Sequence, residues 1–89
     1  MLKLPSEMTI SQVDALHTEL QSQVHNDDNV CLDMSDVIKA DSACIQLLCA
    51  LQKSLQLVDY SIVWEGSSDA LTQACKTLGV AEYLGLNGN

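Results

Sequence analysis

Residues 30–57, VCLDMSDVIKADSACIQLLCALQKSLQL, carry the pattern on which the fold turns. Val30, Cys31 and Leu32 open it as a short apolar run, which suits an interior strand buried on both faces better than a surface helix. A polar loop with Asp33, Ser35 and Asp36 follows. Asp41 and Ser42 then stand where a helix begins, because Cys44, Leu47, Leu48, Leu51, Leu55 and Val58 recur at steps of three and four. Ile45, Cys49 and Ala50 widen that apolar face beyond what one sheet layer needs, so either the core of the domain or a protein partner covers the extra width.

Upstream, Leu2-Lys3-Leu4 alternates apolar with polar and is stopped by Pro5, as in a short strand at or near a sheet edge. Thr9 or Ser11 offers an oxygen to the free N–H groups of a first helix, in which Val13, Leu16, Leu20 and Val24 share a face. Asp14, Gln21 and Gln23 lie on the opposite, solvated face. The helix should end near His25, where Asn26-Asp27-Asp28-Asn29 forms a turn cluster. Downstream, Tyr60–Trp64 is a second strand, ended by Glu65-Gly66. Ser67 or Ser68 caps a third helix with Leu71, Ala74, Cys75 and Leu78 on one face, closed by Gly79. Val80–Leu86 makes one more helical turn, and Asn87-Gly88-Asn89 should fray. Helices alternating with short strands, joined by right-handed crossovers, give a parallel sheet in an α/β sandwich. At 89 residues the chain is a single domain, 1–89.

Twelve acidic residues against four lysines and no arginine leave a formal charge of −8. Such a surface lacks the cations that phosphate backbones or anionic lipid demand, so neither nucleic acid nor direct membrane insertion is expected. No apolar run approaches the roughly 20 residues of a membrane span, and Met1–Pro5 resembles no leader, so a cytoplasmic protein is expected. Cys31, Cys44, Cys49 and Cys75 are spaced 13, 5 and 26 residues apart with no C-x-x-C pair. They read as small buried hydrophobes rather than metal ligands or disulfide partners. His17 and His25 read as packed or solvated side chains.

Catalysis needs a nucleophile beside a base, a metal shell or paired carboxylates in a cleft. None is legible, and no nucleotide, dinucleotide or zinc-hydrolase motif is present. No metal, no cofactor and no enzymatic activity are expected. Ser42 reads first as a helix N-cap; its second reading is a hydroxyl at a helix start that accepts a phosphoryl group from a kinase. Asp41 is either a cap or an acid that positions the neighbouring hydroxyl.

CLDMSDVIKADSACIQLL resembles the signature of the STAS domain (sulfate transporter and anti-sigma factor antagonist), in which a strand ending L-D-hydrophobic-S is followed by D-S-x-G and a helix. SIVWEGSSDALTQACKTLGVAEYLGL is similar to that family's later strand, helix start and closing element. The resemblance implies a STAS-like sandwich, a small mixed or parallel sheet of about three or four strands packed against three to four helices. Because Leu2–Met8 leaves room for barely one strand, the sheet is expected to be one strand short. Anti-sigma factor antagonists are phosphorylated on the second Ser or Thr of D-S-S/T-G, where this chain has Ala43, followed by Cys44 in place of glycine. Control at that position is ruled out, which leaves Ser42 as the candidate phosphorylation site.

The resemblance further implies a non-catalytic bacterial interaction module in signalling, similar to stand-alone STAS proteins of chemotaxis gene clusters. Asp41, Ser42, Ala43, Cys44 and Ile45 would then contact a regulatory kinase or an anti-sigma-type protein. The D-S-A-x-hydrophobic-Q-L-L form is also similar to the STAS subunit of an ABC phospholipid transporter, which binds the ATPase subunit at the position of Ser42.

Overall fold

The computed structural model describes residues 1–24 and 28–86. The helix end expected near His25, the first two residues of the expected turn, Asn26 and Asp27, and the tail Asn87–Asn89 lie outside the described residues. Three parallel strands, β1 (Leu2–Lys3), β3 (Val30–Asp33) and β5 (Ile62–Glu65), form a sheet in the order β1-β3-β5, so β1 occupies the edge its short alternating pattern implied. Leu2, Leu32 and Trp64 stand in one row across it, and Lys3, Asp33 and Glu65 in the next.

Two strands were not legible. β2 (Glu7–Met8) and β4 (Lys39–Ala40) pair in parallel as a separate two-stranded ladder, Glu7 with Lys39 and Met8 with Ala40. The N-terminal stretch therefore holds two short strands around Pro5 instead of one, and the described strands number five.

Four α-helices, α1 (Val13–Val24), α2 (Ser42–Gln56), α3 (Asp69–Thr77) and α4 (Ala81–Leu84), supply the rest. Leu16 and Leu20 of α1, Leu48 and Leu55 of α2, Leu71 and Cys75 of α3 and Leu84 of α4 meet Val30, Leu32 and Ile62 of the sheet in one aliphatic core. Burying a leucine or valine side chain contributes about 1.5–3 kcal/mol, so this one cluster supplies the main stabilising term. The expectation that β3 is buried on both faces does not hold. Val30 and Leu32 are buried, whereas Cys31 and Asp33 on the other face are only half-buried and neighbouring Val63 is exposed. The helices contribute to a single core, and the second sheet face is left open.

The helix ends explain two further departures. Val58, assigned to the α2 stripe, is 57% exposed, and Leu78, assigned to the α3 stripe, is 46% exposed. Each lies just past the last residue of its helix, where the chain turns outward through a left-handed residue: Asp59 at φ 65° and Gly79 at φ 76°. The N–H of Tyr60 donates to Leu55 O at 2.8 Å and that of Val80 to Cys75 O at 2.9 Å, closing both ends alike.

One buried polar residue interrupts the apolar face of α2. Gln52, 6% exposed, accepts from the Ile62 N–H at 3.0 Å and donates to Tyr83 O at 2.9 Å. The Trp64 indole N–H donates to Leu84 O at 2.7 Å. Together they tie α4 to strand β5, and a buried amide with both ends satisfied costs little.

Candidate functional site

The residues singled out by the sequence meet where β2, β4 and the starts of two helices come together. A 3-10 turn, Ile10–Gln12, leads into α1, and Thr9 occupies its cap position without a side-chain bond to the backbone. The Thr9 and Ser11 hydroxyls instead pair with each other at 3.0 Å. The expectation that one of them caps the first helix is corrected by the carboxylate that does so. Asp41, 31 residues away, accepts the Ile10 N–H on Oδ2 at 2.9 Å.

Asp41 stands at the N-cap position of α2, with φ −104° and ψ 171°, yet makes no side-chain bond to its own helix. Its backbone N–H donates to Met8 O at 2.9 Å. Its other carboxylate oxygen, Oδ1, is enclosed and has no hydrogen-bond partner among the described residues. Beside it, Cys44 donates its thiol proton to Thr9 O at 3.3 Å. Burial, and after it the negative charge of Asp41, push the Cys44 thiol up from its ordinary value, so it stays protonated and unreactive.

Ser42 is the first residue of α2, exposed, and its hydroxyl makes no hydrogen bond among the described residues. It is not the N-cap that its place in the sequence suggested, because Asp41 holds that position. Ala43 is half-buried, while Cys44 and Ile45 are 0% and 1% exposed. Of the five residues from Asp41 to Ile45, the structure therefore presents Ser42 fully and Asp41 and Ala43 in part. Cys44 and Ile45 sit in the core, where they support the corner from below.

Two exposed side chains that the sequence did not single out join Ser42. Ile10, bonded through its backbone to Asp41, is 74% exposed, and Ile38, three residues before Asp41, is 71% exposed. At about 3.3 Å per extended residue, Ile38 lies within roughly 10 Å of Asp41 along the chain. Lone exposed hydrophobes are ordinary; of these two, Ile10 is tied to this corner through its backbone bond to Asp41, and Ile38 belongs to it only through its nearness in sequence. Isoleucine beside a turn looks like any other apolar residue in sequence; only the Ile38 N–H bond to Ser6 O at 2.8 Å and the Asp41 cap reveal which way the chain faces.

His17 lies elsewhere. It lines a shallow groove between α1 and α2 with Leu20, Leu47, Ala50 and Ser54, about 8–18 Å along the α2 axis from Ser42. A larger cleft of about 310 Å³ runs along α3, between Asp69, Thr72 and Lys76 on one side and Gly85 and Leu86 on the other. Neither touches the Asp41–Ile45 corner. Among the described residues no group of histidines, cysteines and acids is placed to hold a metal ion. No described helix is long and apolar enough to cross a membrane.

The fold is thus a small α/β sandwich in which the residue before α2 caps the turn that leads into α1 and the Ser42 hydroxyl stands exposed at the second helix start. The family model described as "Mlab, STAS domain" matches residues 1–86, essentially the whole chain. The chain belongs to the STAS domain family, and with it comes a general role in protein interaction. No curated protein and no solved structure matches the chain.

Proposed function

We propose that the chain is a non-catalytic, anti-sigma factor antagonist-like STAS module acting in bacterial signalling, in a chemotaxis-type setting, that docks a regulatory kinase or anti-sigma-type protein at Ser42. The observation that carries this reading is the bare, exposed Ser42 hydroxyl at the start of α2, in a corner where the backbone of exposed Ile10 is bonded to Asp41. An apolar anchor beside a polar group suits a protein partner, whereas a substrate-sized ligand needs a concave pocket. The absence of chemistry is part of the proposal. Among the described residues His17 stands over the middle of α2, away from Ser42, and burial raises the Cys44 and Cys75 thiols above their ordinary value, which supports a non-catalytic reading.

A second reading is the cytoplasmic STAS subunit of an ABC phospholipid transporter, binding and regulating the ATPase subunit through the same corner. Two observations favour it: Ala43 removes the hydroxyl that a phospho-switch of the antagonist kind uses, and the matched family is described by the name Mlab. Affinity capture from the native host separates the two. Recovery of a signalling kinase or phosphatase, lost on Ser42→Ala, is the expected result; recovery of an ABC ATPase, lost on the same substitution, moves the chain to the transport class. Covalent control would fall on Ser42 and add about 80 Da to a Ser42 peptide after incubation with host lysate and ATP; an unmodified peptide removes this element.

A further inference from the structure

We propose that the uncovered face of the β1-β3-β5 sheet seats one amphipathic helix with a basic flank, supplied by a partner protein. All-parallel sheets occur in proteins almost only with both faces covered. Here the helices pack on one face alone, against Val30, Leu32 and Ile62. The other face carries Cys31 beside Val63 in one row, and Lys3, Asp33 and Glu65 in the next. The Cys31 thiol donates to Glu65 Oε1 at 3.9 Å, which lays the Glu65 side chain over the sheet on that same face. None of these residues belongs to the Asp41–Ile45 corner.

Charge and size say what covers it. Val63, 42% exposed, and half-buried Cys31 give the face an apolar centre. Asp33 and Glu65 are register partners on adjacent strands about 4.8 Å apart, where two like charges oppose each other. The Ser35 hydroxyl and N–H donate to Asp33 Oδ1 at 2.6 and 2.9 Å, which lowers that carboxyl below its ordinary pKa and keeps it charged. Lys3, the cation at the end of the row, is paired with Asp36 at 3.3 Å. A lysine or arginine from outside relieves the repulsion, and an apolar side chain beside it covers Val63. A second copy of the chain does neither, because it brings the same two carboxylates to the contact. The face, about 14 Å across three strands and about 13 Å along them, is also far short of the roughly 800 Å² per partner that a stable dimer buries. Residues 25–27 and 87–89, outside the described ones, hold no lysine and no aliphatic side chain. A helix about 10–12 Å in diameter, rising about 5.4 Å per turn, matches the width and spans the length in two to three turns.

The test titrates the full chain, followed by backbone amide NMR, with a synthetic amphipathic helix of leucine and lysine about four turns long, against a scrambled peptide of the same composition that has no apolar face. The helix is expected to shift the amides of Cys31, Val63 and Glu65, and to slow alkylation of the Cys31 thiol at least about threefold at saturation while Cys49, also half-buried, is unchanged. Glu65→Lys, at an exposed side chain, and Val63→Asp should each weaken binding about tenfold. Glu82→Lys, which alters the net charge as much but lies on α4, should stay within about twofold of wild type. Equal losses in Glu65→Lys and Glu82→Lys, equal binding of the scrambled peptide, or unmoved Cys31 and Val63 amides each overturn the proposal. A dimer in sedimentation that Val63→Asp dissociates overturns it too, since a second copy then covers the face.

Discussion

Two serines open helices beside the segment Val37–Asp41, and they are used in opposite ways. Ser68, before α3, is 6% exposed; its hydroxyl accepts from the Leu71 N–H at 3.1 Å and donates to Val37 O at 2.7 Å. Every bond that oxygen can make to advantage is made inside the fold. Ser42, at the start of α2, is exposed, and the capping position before it belongs to an aspartate whose carboxylate serves another segment. One hydroxyl is used inside the fold; the other makes no hydrogen bond among the described residues. The difference lies in what the tertiary structure brings to each serine, since both begin a helix after a short strand and both suit a cap.

The contrast breaks first at Ser68. Ser68→Ala strands the Val37 carbonyl and the Leu71 N–H in a buried place, and should cost about 2–3 kcal/mol. For a domain of this size that lowers the thermal midpoint by roughly 10–20 °C, read by circular dichroism. A fall of only a degree or two would mean that α3 does not depend on its cap.

Gly66, two residues earlier, belongs to the same closed side. It holds φ 72°, and a Cβ there would come within 2.8 Å of Ser35 Cβ. Gly66→Ala should destabilise by about 1–3 kcal/mol through strain and that clash, seen as a lower urea midpoint with Ser42 unaffected in its exposure.

A smaller effect follows from pH. Burial, followed by the charge of Cys49, pushes the Cys75 thiol from its ordinary 9.0 up to about 11. Because the folded value is raised, the stability this thiol contributes is full below pH 9 and declines as pH rises through about 11, where the unfolded chain releases its proton first. The urea midpoint should therefore fall between pH 8 and 10.5, and less steeply in Cys75→Ala; identical slopes would remove Cys75 from the account.

The stripe of α2, a cap of α3 at Ser67 or Ser68, the stop at Gly79 and the central strand were legible because each is a local pattern with a physical reason behind it. β2 and β4 were not, since two residues carry no periodicity. Asp41 looked like the cap of its own helix because its true partner, Ile10, is 31 residues away and no spacing announces it. Cys44 and Ile45 belonged both to the apolar stripe and to the expected contact surface, and burial decided for the stripe. Gln52 was not singled out in the sequence, although its two bonds hold β5 and α4 together. Local chemistry was readable; which polar group meets which across the chain was not.

Ser42→Ala, measured side by side for unfolding free energy and for affinity to the captured partner, tests most directly whether the hydroxyl left free in the fold is the one a partner engages. The expected result is a stability within about 0.5 kcal/mol of wild type and an affinity at least about tenfold weaker. A variant that lost the stability expected of a capping serine, or that bound the partner as tightly as wild type, would contradict it.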